Sequence, residues 1–274
     1  MQPTSTSFLQ LDTADLADGK PGSPPPELSI EGSWWGEPAG RGPTVVLLHE
    51  GLGSVAQWRD VPGRVHAGTG LPVFAFNRWG YGHSTTAPDG FTVRFMHTEG
   101  LDILPRVLVG ASIEECVLVG HSDGGSISLI AAGSGTVRPL GVLVIAPHIY
   151  VEPECSAGIV AIESQRDRIV EGLARYHADP AATFAAWNDV WLDPEFQAWD
   201  IREYLPSIPC PVLAIQGADD EYATPAMITG IDETVPNSRG AVLVPDCGHI
   251  AHRQQPDAIV DHIVDFVTAL PPLS

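Results

Sequence analysis

A serine flanked by glycines is the part of this sequence best suited to covalent chemistry. Residues 117–120 form an apolar, strand-like run that leads directly into His121, Ser122, Asp123 and Gly124. Glycines on both sides of a serine permit a sharp turn from strand to helix, which leaves the hydroxyl exposed at the corner. The segment after the turn is helical in pattern, and the N–H groups of its first turn are suited to holding a developing oxyanion. Ser122 is therefore the candidate nucleophile.

A serine nucleophile needs a general base and a carboxylate that orients the base. The base candidate is His249, which lies on a glycine-bearing loop after the last apolar run of the chain. Three carboxylates, Asp219, Asp220 and Glu221, follow an apolar run at 212–216. Spacing alone does not choose among these three. Their place between the serine and the histidine fits the chain order of a Ser-Asp-His triad built on a parallel sheet.

An oxyanion hole needs two backbone N–H donors. One is predicted at Asp123, directly after the nucleophile. The other is predicted at Gly51, with Leu52 as the alternative, in a loop whose glycines allow close backbone approach. His252 lies three residues after His249, but no carboxylate or cysteine set in the sequence pattern completes a zinc site with them. We predict neither a metal nor a cofactor.

Several further side chains are predicted to line the substrate pocket. They are Glu50, Trp79, His121, His148, Trp187 and Trp191.

The elements that position these residues follow from hydropathy. Apolar runs of strand length recur between helix-length segments, at 44–49, 72–76, 115–120, 140–146, 212–216 and 241–244. Several lack polar alternation, which is typical of strands covered on both faces, so we predict an α/β fold with a mostly parallel central sheet flanked by helices. Helices are predicted at 97–110, 123–133, 224–234 and 256–270. The Pro- and Gly-rich residues 19–43 predict loops and a small antiparallel hairpin at the sheet edge.

One long segment interrupts the alternation of strands and helices. Residues 151–206 contain no convincing strand and carry apolar, tryptophan-bearing helical stretches. We predict that this segment is a helical cap inserted into a core domain formed by residues 1–150 and 207–274. An insert at this point of the chain would cover the strand ends, where open α/β sheets bind ligands.

Composition limits the classes of function. The 274 residues carry 34 Asp plus Glu against 14 Lys plus Arg, a formal net charge of −20. An acidic surface repels phosphate backbones and anionic lipid, so we expect no nucleic-acid or membrane partner and a small-molecule substrate. The sequence has no apolar run of membrane-spanning length, no basic and apolar signal segment at residues 1–18, and four scattered cysteines. These features predict a cytoplasmic protein, either a monomer or a homodimer.

Five motifs in order resemble those of the α/β-hydrolase superfamily over about residues 27–270. Residues 47–54 are similar to the family's H-G-x-x-G-S oxyanion loop, and residues 77–84 to its R-G-x-G-x-S turn. Residues 120–124 match the nucleophile elbow, residues 217–220 the G-x-x-D acid loop, and residues 248–249 the terminal G-H. The resemblance implies that Ser122 is the nucleophile, His249 the base and Asp220 the acid of a serine esterase.

Three positions depart from the family pattern. Glu50 replaces the glycine that usually follows the loop histidine, and Pro225 comes one residue later than usual, which keeps Asp219 in contention as the acid. Asp123 stands where the family commonly has an apolar or amide side chain. A Ser-Asp-Gly-Gly elbow is similar to that of biphenyl-hydrolase-like amino-acid ester hydrolases, which implies a carboxylate for a substrate ammonium. The alternative is a local hydrogen bond at the helix N-terminus, which favours negative charge.

The resemblance leaves three functions to distinguish. The first is hydrolysis of a carboxylic ester or related acyl compound through an acyl-enzyme. The second is carbon–carbon bond hydrolysis of the meta-cleavage-product type, which shares the fold and the triad. The third is ligand binding without catalysis on a hydrolase scaffold.

Overall fold

A computed structural model describes residues 1–38 and 42–271, and these residues form an eight-stranded sheet with helices on both faces. The strands are β1 (Ser5–Asp12), β2 (Glu27–Trp35), β3 (Thr44–Leu48), β4 (Val73–Phe76), β5 (Cys116–His121), β6 (Gly141–Ile145), β7 (Val212–Gly217) and β8 (Ser238–Val244). Their order across the sheet is β1-β2-β4-β3-β5-β6-β7-β8. The pairs β1–β2 and β2–β4 are antiparallel, and the remaining pairs are parallel.

The helices are α1 (Val61–Thr69), α2 (Phe95–Thr98), α3 (Leu104–Gly110), α4 (Asp123–Ser134), α5 (Pro153–Glu163), α6 (Arg166–Leu173), α7 (Pro180–Leu192), α8 (Ala226–Thr234), α9 (Ala251–Gln254) and α10 (Pro256–Thr268). Eight of the helices lie between strands along the chain, and α9 and α10 follow the last strand. Two apolar cores pack against the two faces of the sheet. In the described part of the chain, no helix has the length and apolar character needed to cross a membrane.

The central strands are buried throughout, as their uninterrupted apolar sequences predict. Every residue of β3 through β7 is buried, whereas β8 alternates between partly buried and exposed positions until its last residue, Val244, which is buried. A strand covered by helices on both faces has no solvent-facing side, so its sequence needs no polar alternation. The parallel strands place their carboxyl ends at one edge of the sheet, and this edge carries the site described below.

The prediction that both strands of the edge hairpin lie within residues 19–43 is wrong, because its first strand lies earlier in the chain. The strand β2 does form at the sheet edge, but its antiparallel partner is β1, which pairs Ser5 with Trp34 and Asp12 with Glu27. Only Leu11 of β1 is buried, so the strand lacks the apolar pattern that would have revealed it. Residues 39–41 of the predicted loop and residues 272–274 of the predicted core lie outside the described residues.

The helix predicted at 97–110 is a composite. The chain is helical from α2 to α3, but residues Glu99–Ile103 between them form a π-helix. Pro105 has no N–H to donate to the carbonyl four residues earlier, which removes one α-helical hydrogen bond from this stretch. The helix α1 was not predicted because its sequence contains Pro62, Gly63 and Gly68, which lower helix propensity.

Residues 151–206 connect β6 to β7 and contain α5, α6 and α7 followed by two 3-10 helices, Phe196–Ala198 and Arg202–Ser207. We refer to residues 151–206 as the cap segment. One isolated antiparallel bridge joins Tyr150, the residue before the cap segment, to Asp200 near its end. The cap segment therefore leaves the sheet and returns to it at neighbouring positions.

Candidate active site

Ser122 lies at the corner between β5 and α4 with a backbone φ of 51° and ψ of −119°. A positive φ is strained for a residue with a Cβ atom and is tolerated where the surroundings impose it. Here β5 ends at His121 and α4 begins at Asp123, so the corner is a single residue wide. The turn directs the serine side chain away from both elements at the carboxyl edge of the sheet.

Two glycines allow the elbow to pack this tightly. A Cβ atom on Gly120 would collide with the backbone carbonyl oxygen of Gly124, and one on Gly124 would collide with that of Leu48 in the neighbouring strand. The helix α4 therefore approaches β3 and β5 more closely than any larger residue permits. This contact explains in physical terms why glycines flank the serine.

The structure brings Ser122, His249 and Asp220 into one hydrogen-bonded line. The Nε2 atom of His249 lies 3.0 Å from the Oγ atom of Ser122. On the other side of the ring, Nδ1 lies 3.0 Å from both carboxylate oxygens of Asp220. This is the geometry in which a histidine accepts the proton of a serine hydroxyl while a carboxylate fixes its tautomer.

The surroundings of the histidine set its basicity. Burial alone would lower the pKa of His249, but the hydrogen bond and the charge of Asp220, with Glu221 and Glu50, outweigh it and raise the pKa above its ordinary 6.5. Burial likewise works to raise the pKa of Asp220, and the contact with His249 lowers it below its usual value. The carboxylate is therefore ionised and stabilises a positive charge on the ring.

The two neighbouring acidic residues, Asp219 and Glu221, make other contacts. Asp219 is exposed, and its backbone N–H donates to the carbonyl oxygen of Cys247 over 2.8 Å. The side chain of Glu221 accepts the backbone N–H of His249 over 3.1 Å. Spacing did not reveal this role for Glu221, since three adjacent acids look alike in sequence. Asp220 is the acid that faces the imidazole.

A tight turn carries the predicted oxyanion donor. The N–H of Gly53 donates to the carbonyl oxygen of Glu50 over 3.1 Å, so the N–H groups of Gly51 and Leu52 are not used in closing that turn. His49 anchors the turn: its Nδ1–H donates to the carbonyl oxygen of Glu50 over 2.7 Å, and its Nε2 accepts the N–H of Arg78 over 3.0 Å. This anchoring role of His49 was not predicted.

The N–H of Asp123 is the second candidate donor. Asp123 is the first residue of α4, so its N–H has no acceptor within the helix. Gly51 and Asp123 both line the cavity above Ser122. The side chain of Trp187 reaches Gly51 so closely that a Cβ atom there would collide with the indole nitrogen. The cap segment thus contacts the oxyanion loop directly.

The Asp123 side chain has an internal cation as its partner. Its Oδ2 atom lies 3.4 Å from Nη2 of Arg78, and both side chains are almost fully buried. Burial raises the pKa of Asp123, an effect that Arg78 opposes. Arg78 also donates to the carbonyl oxygen of Glu50 over 3.2 Å and stacks over the ring of Tyr81. Neither predicted role for this carboxylate included an arginine from the turn after β4.

A cavity of about 390 Å³ opens above the serine hydroxyl. Its walls combine Ser122 and His249 with apolar side chains from the cap segment: Cys155, Ile159, Ile162, Ile169, Leu173, Trp187 and Trp191. Leu52 and Tyr222 add to this surface from the core, and the charged residues of the lining are Glu50, Asp123, Glu221 and Arg253. The cavity suits a mainly apolar group next to the hydroxyl of Ser122.

Four of the six predicted pocket residues line this cavity, namely Glu50, His148, Trp187 and Trp191. Trp79 does not, because its indole N–H donates to the carbonyl oxygen of Thr86 over 3.3 Å and its ring packs on Phe91. His121 is fully buried and is not among the residues that line the cavity. The predictions for Trp79 and His121 as pocket-lining residues are therefore wrong.

Folding also brings together a group that sequence spacing did not suggest. Ligand-type atoms of Glu50, His121 and His252 all lie within 4.8 Å of one another. They come from the loop after β3, from the end of β5 and from α9. Among the described residues, this is the set that could offer a metal a carboxylate and two imidazoles.

Comparison with known proteins relates this chain to enzymes. Residues 45–262 match the model of the alpha/beta hydrolase family. The sn-1-specific diacylglycerol lipase ABHD11 of Mus musculus is 24% identical over 256 residues, covering 82% of this chain and 81% of the relative. The 2-succinyl-6-hydroxy-2,4-cyclohexadiene-1-carboxylate synthase of Salmonella agona is 24% identical over 251 residues, covering 82% of this chain and 94% of the relative.

A solved structure shares the architecture. A thermophilic esterase from Thermogutta terrifontis superposes with a TM-score of 0.71 at 18% identity, covering 96% of this chain and 99% of the esterase. At this identity the likeness shows the fold. The predicted sheet architecture is confirmed, and the predicted family is confirmed by the match to the family model.

Proposed function

The chain belongs to the alpha/beta hydrolase family and is a hydrolase, and we propose that it cleaves carboxylic esters through an acyl-enzyme on Ser122. The observation that carries this proposal is the line from Ser122 Oγ through the His249 ring to Asp220, with each contact at 3.0 Å. Nucleophile, base and orienting acid are in hydrogen-bonding distance without any rearrangement.

The proposed reaction follows from this geometry. His249 accepts the hydroxyl proton as Ser122 attacks the ester carbonyl, and Asp220 stabilises the imidazolium. The N–H groups of Gly51 and Asp123 receive the oxyanion of the tetrahedral intermediate. The imidazolium then protonates the departing alcohol, and a water molecule activated by His249 releases the acid from the acyl-enzyme.

The walls of the cavity support an apolar acyl or alcohol group as the substrate's main recognition element. Most of the side chains that face it from the cap segment are aliphatic or aromatic. We propose that residues 151–206 act as a cap that selects a small-molecule substrate. A lipase among the curated relatives and an esterase among the solved structures are consistent with ester chemistry. A cytoplasmic location and a monomeric or homodimeric state stay predictions from sequence.

A panel of p-nitrophenyl esters of increasing acyl length tests the proposal. We expect hydrolysis by the wild-type protein and a loss of about 10⁴-fold or more in kcat for Ser122→Ala with an unchanged unfolding temperature. Full activity of a folded Ser122→Ala protein would contradict the serine mechanism. If esters are inert and a meta-cleavage dienolate is consumed instead, the reaction is carbon–carbon bond hydrolysis.

The same panel tests the role of Asp123 when aminoacyl esters and their N-acetylated counterparts are included. We expect a kcat/KM ratio for free amine over acetylated amine below about tenfold, because a substrate ammonium would compete with Arg78 for the carboxylate. A higher ratio that disappears in Asp123→Asn would assign an ammonium-binding role to the side chain.

A further inference from the structure

Three neighbouring strands place three residues at one level of the sheet edge. The register pairs Leu48 of β3 with Phe76 of β4 and with Gly120 of β5. The residues two positions beyond these paired residues are Glu50, Arg78 and Ser122. Because parallel strands end at the same edge of a sheet, residues that follow paired positions by the same number lie close together. The register therefore brings Arg78 beside the oxyanion loop and the elbow at Ser122.

The guanidinium of Arg78 contacts both sides of the predicted oxyanion hole. Its Nη2 atom donates to the carbonyl oxygen of Glu50 over 3.2 Å and lies 3.4 Å from Oδ2 of Asp123. The carbonyl of Glu50 and the N–H of Gly51 belong to the same planar peptide group. Asp123 carries the other predicted donor on its own backbone nitrogen. One nitrogen atom thus contacts the peptide group of the first donor and the side chain of the residue that carries the second.

A hydrogen bond to the Glu50 carbonyl acts on the N–H of Gly51. In a trans peptide group the C=O and the N–H point in opposite directions, so fixing the carbonyl fixes the direction of the N–H. The same carbonyl accepts the Nδ1–H of His49 over 2.7 Å. Hydrogen bonds in a chain polarise one another, so two donors on the carbonyl make the N–H a stronger donor. Neither Arg78 nor His49 is among the residues that line the cavity.

The interior of the protein holds the arginine in place. The side chains of Arg78 and Asp123 are almost fully buried, and a buried guanidinium needs a partner of opposite charge. The centre of the guanidinium lies 4.5 Å from the centroid of the Tyr81 ring, which is buried as well. The backbone N–H of Arg78 donates to Nε2 of His49 over 3.0 Å. The side chain therefore has little rotamer freedom left to lose when a substrate binds.

We propose that Arg78 is a positioning residue that aligns the two oxyanion donors, the N–H groups of Gly51 and Asp123. The inference rests on the ester hydrolase function proposed above. Arg78 touches no reacting atom, and its effect on the rate passes through the two donors. The Asp123 carboxylate supplies the charge that keeps the guanidinium in place. Donors aligned before the reaction stabilise the tetrahedral intermediate without any reorganisation.

Removing both charges of the pair together tests the contact with Glu50. Arg78→Met alone would leave the Asp123 carboxylate buried and unpaired, which is strongly destabilising. Arg78→Met combined with Asp123→Asn removes both charges, whereas Asp123→Asn alone keeps the contact of Arg78 with Glu50 and leaves Glu99 as a nearby acidic residue. Relative to Asp123→Asn, we expect kcat for an ester to fall about 10- to 100-fold in the double variant, while KM changes by less than about threefold.

A second arginine offers a matched control. Arg106 donates to the backbone carbonyl oxygens of Asp12 and Asp102 and to the carboxylate of Asp15. It thus bonds to carbonyl and carboxylate oxygens as Arg78 does, but none of these residues lines the cavity that contains Ser122. Arg106→Met combined with Asp15→Asn should leave kcat at the wild-type value.

Two ketones separate the alignment of the donors from a general loosening of the site. The oxygen of Ser122 adds to the carbonyl carbon of a trifluoromethyl ketone and forms a tetrahedral oxyanion, whereas the matching methyl ketone stays trigonal. Because the donors act on the oxyanion, Ki for the trifluoromethyl ketone should rise about 10- to 100-fold from Asp123→Asn to the double variant. Ki for the methyl ketone should change by less than about threefold. Equal weakening of both ketones, or a kcat equal to that of Asp123→Asn, would overturn the proposal.

The wild-type protein separates this inference from the proposed function. If it hydrolyses no ester and binds both ketones equally, the ester hydrolase function fails and the role of Arg78 fails with it. If the wild type prefers the trifluoromethyl ketone and the double variant keeps that preference, only the role of Arg78 fails. If the double variant does not fold, Arg78→Lys replaces it and is compared with the wild type. Its ammonium keeps the charge beside Asp123 on a side chain one bond shorter, which should lose the contact with the Glu50 carbonyl, and the same two ketones then decide.

Discussion

At the scale of single residues, the local surroundings assign different roles to side chains of the same type. Asp220 and Asp219 are adjacent, yet only Asp220 faces the imidazole of His249. His249 contacts Asp220 with one ring nitrogen and Ser122 with the other, whereas His121 contacts a carboxylate and a carbonyl. The chemistry therefore follows from partners and burial rather than from residue type.

Asp220→Asn should lower kcat far more than Asp219→Asn, because only a carboxylate aimed at His249 stabilises the imidazolium. The pKa of His249 is raised above 6.5, so the base becomes protonated, and activity falls, as the pH drops through a value above 6.5. Replacing Asp220 removes the main cause of that shift. The acid limb of kcat/KM should therefore move to lower pH in Asp220→Asn and stay in place in Asp219→Asn.

A pH–rate profile of the wild-type protein, Asp220→Asn and Asp219→Asn measures both the loss of kcat and the shift of the acid limb. Equal losses of kcat in the two variants, or a shift of the acid limb in Asp219→Asn alone, would move the orienting role to Asp219.

At the scale of elements, the sequence predicted the features that have a local pattern along the chain. Continuous apolar runs identified the parallel strands, and the glycines around Ser122 identified the elbow. Contacts between segments far apart in the sequence were not predicted. The strand β1 has only Leu11 buried, and the pairing of Arg78 with Asp123 or of Glu50 with His121 joins residues from different loops. Spacing along the chain carries no signal for such contacts, because they depend on how the sheet edges meet.

The cap segment offers a test of substrate selection. Ile159 on α5 lines the cavity that contains Ser122, and Ile159→Ala should enlarge this cavity. We expect the ratio of kcat/KM for a long over a short acyl ester to rise by about tenfold, since one added methylene in an apolar pocket is worth about 1–3 kcal/mol.

Ile263→Ala is the control for this cavity. Ile263 is equally buried, but it lies on α10 in the core on the opposite face of the sheet. Both variants should lose about 2–5 kcal/mol of unfolding free energy, as truncation of a buried isoleucine does. A change of chain-length preference in Ile263→Ala, or none in Ile159→Ala, would show that the cap segment does not set the pocket.

At the scale of the whole molecule, negative charge is in large excess over positive charge. The net charge of −20 is carried by a chain with only 14 Lys plus Arg, so its acidic side chains repel one another in the folded state. Several arginines are already paired with carboxylates, for example Arg64 with Asp257 and Arg106 with Asp15. Exposed pairs of this kind contribute little, so most of the repulsion remains unbalanced.

Added salt should therefore stabilise the fold. Raising sodium chloride from about 10 mM to about 150 mM shortens the Debye length from about 30 Å to about 8 Å and screens the repulsion. We expect the thermal unfolding midpoint to rise by about 2–4 °C, which corresponds to about 1 kcal/mol in a chain of this size. Potassium chloride should give the same rise, because screening does not distinguish the two cations. A constant or falling midpoint would contradict this view of the surface.

Covalent capture tests most directly whether Ser122 is the nucleophile. A fluorophosphonate reacts with a serine only where a neighbouring base activates its hydroxyl. Intact-mass and peptide mass spectrometry should find one adduct per chain on the peptide that contains Ser122. His249→Ala should label slowly, and Ser122→Ala should not label at all. Labelling at another residue, or equal labelling of Ser122→Ala, would contradict the assignment of the nucleophile.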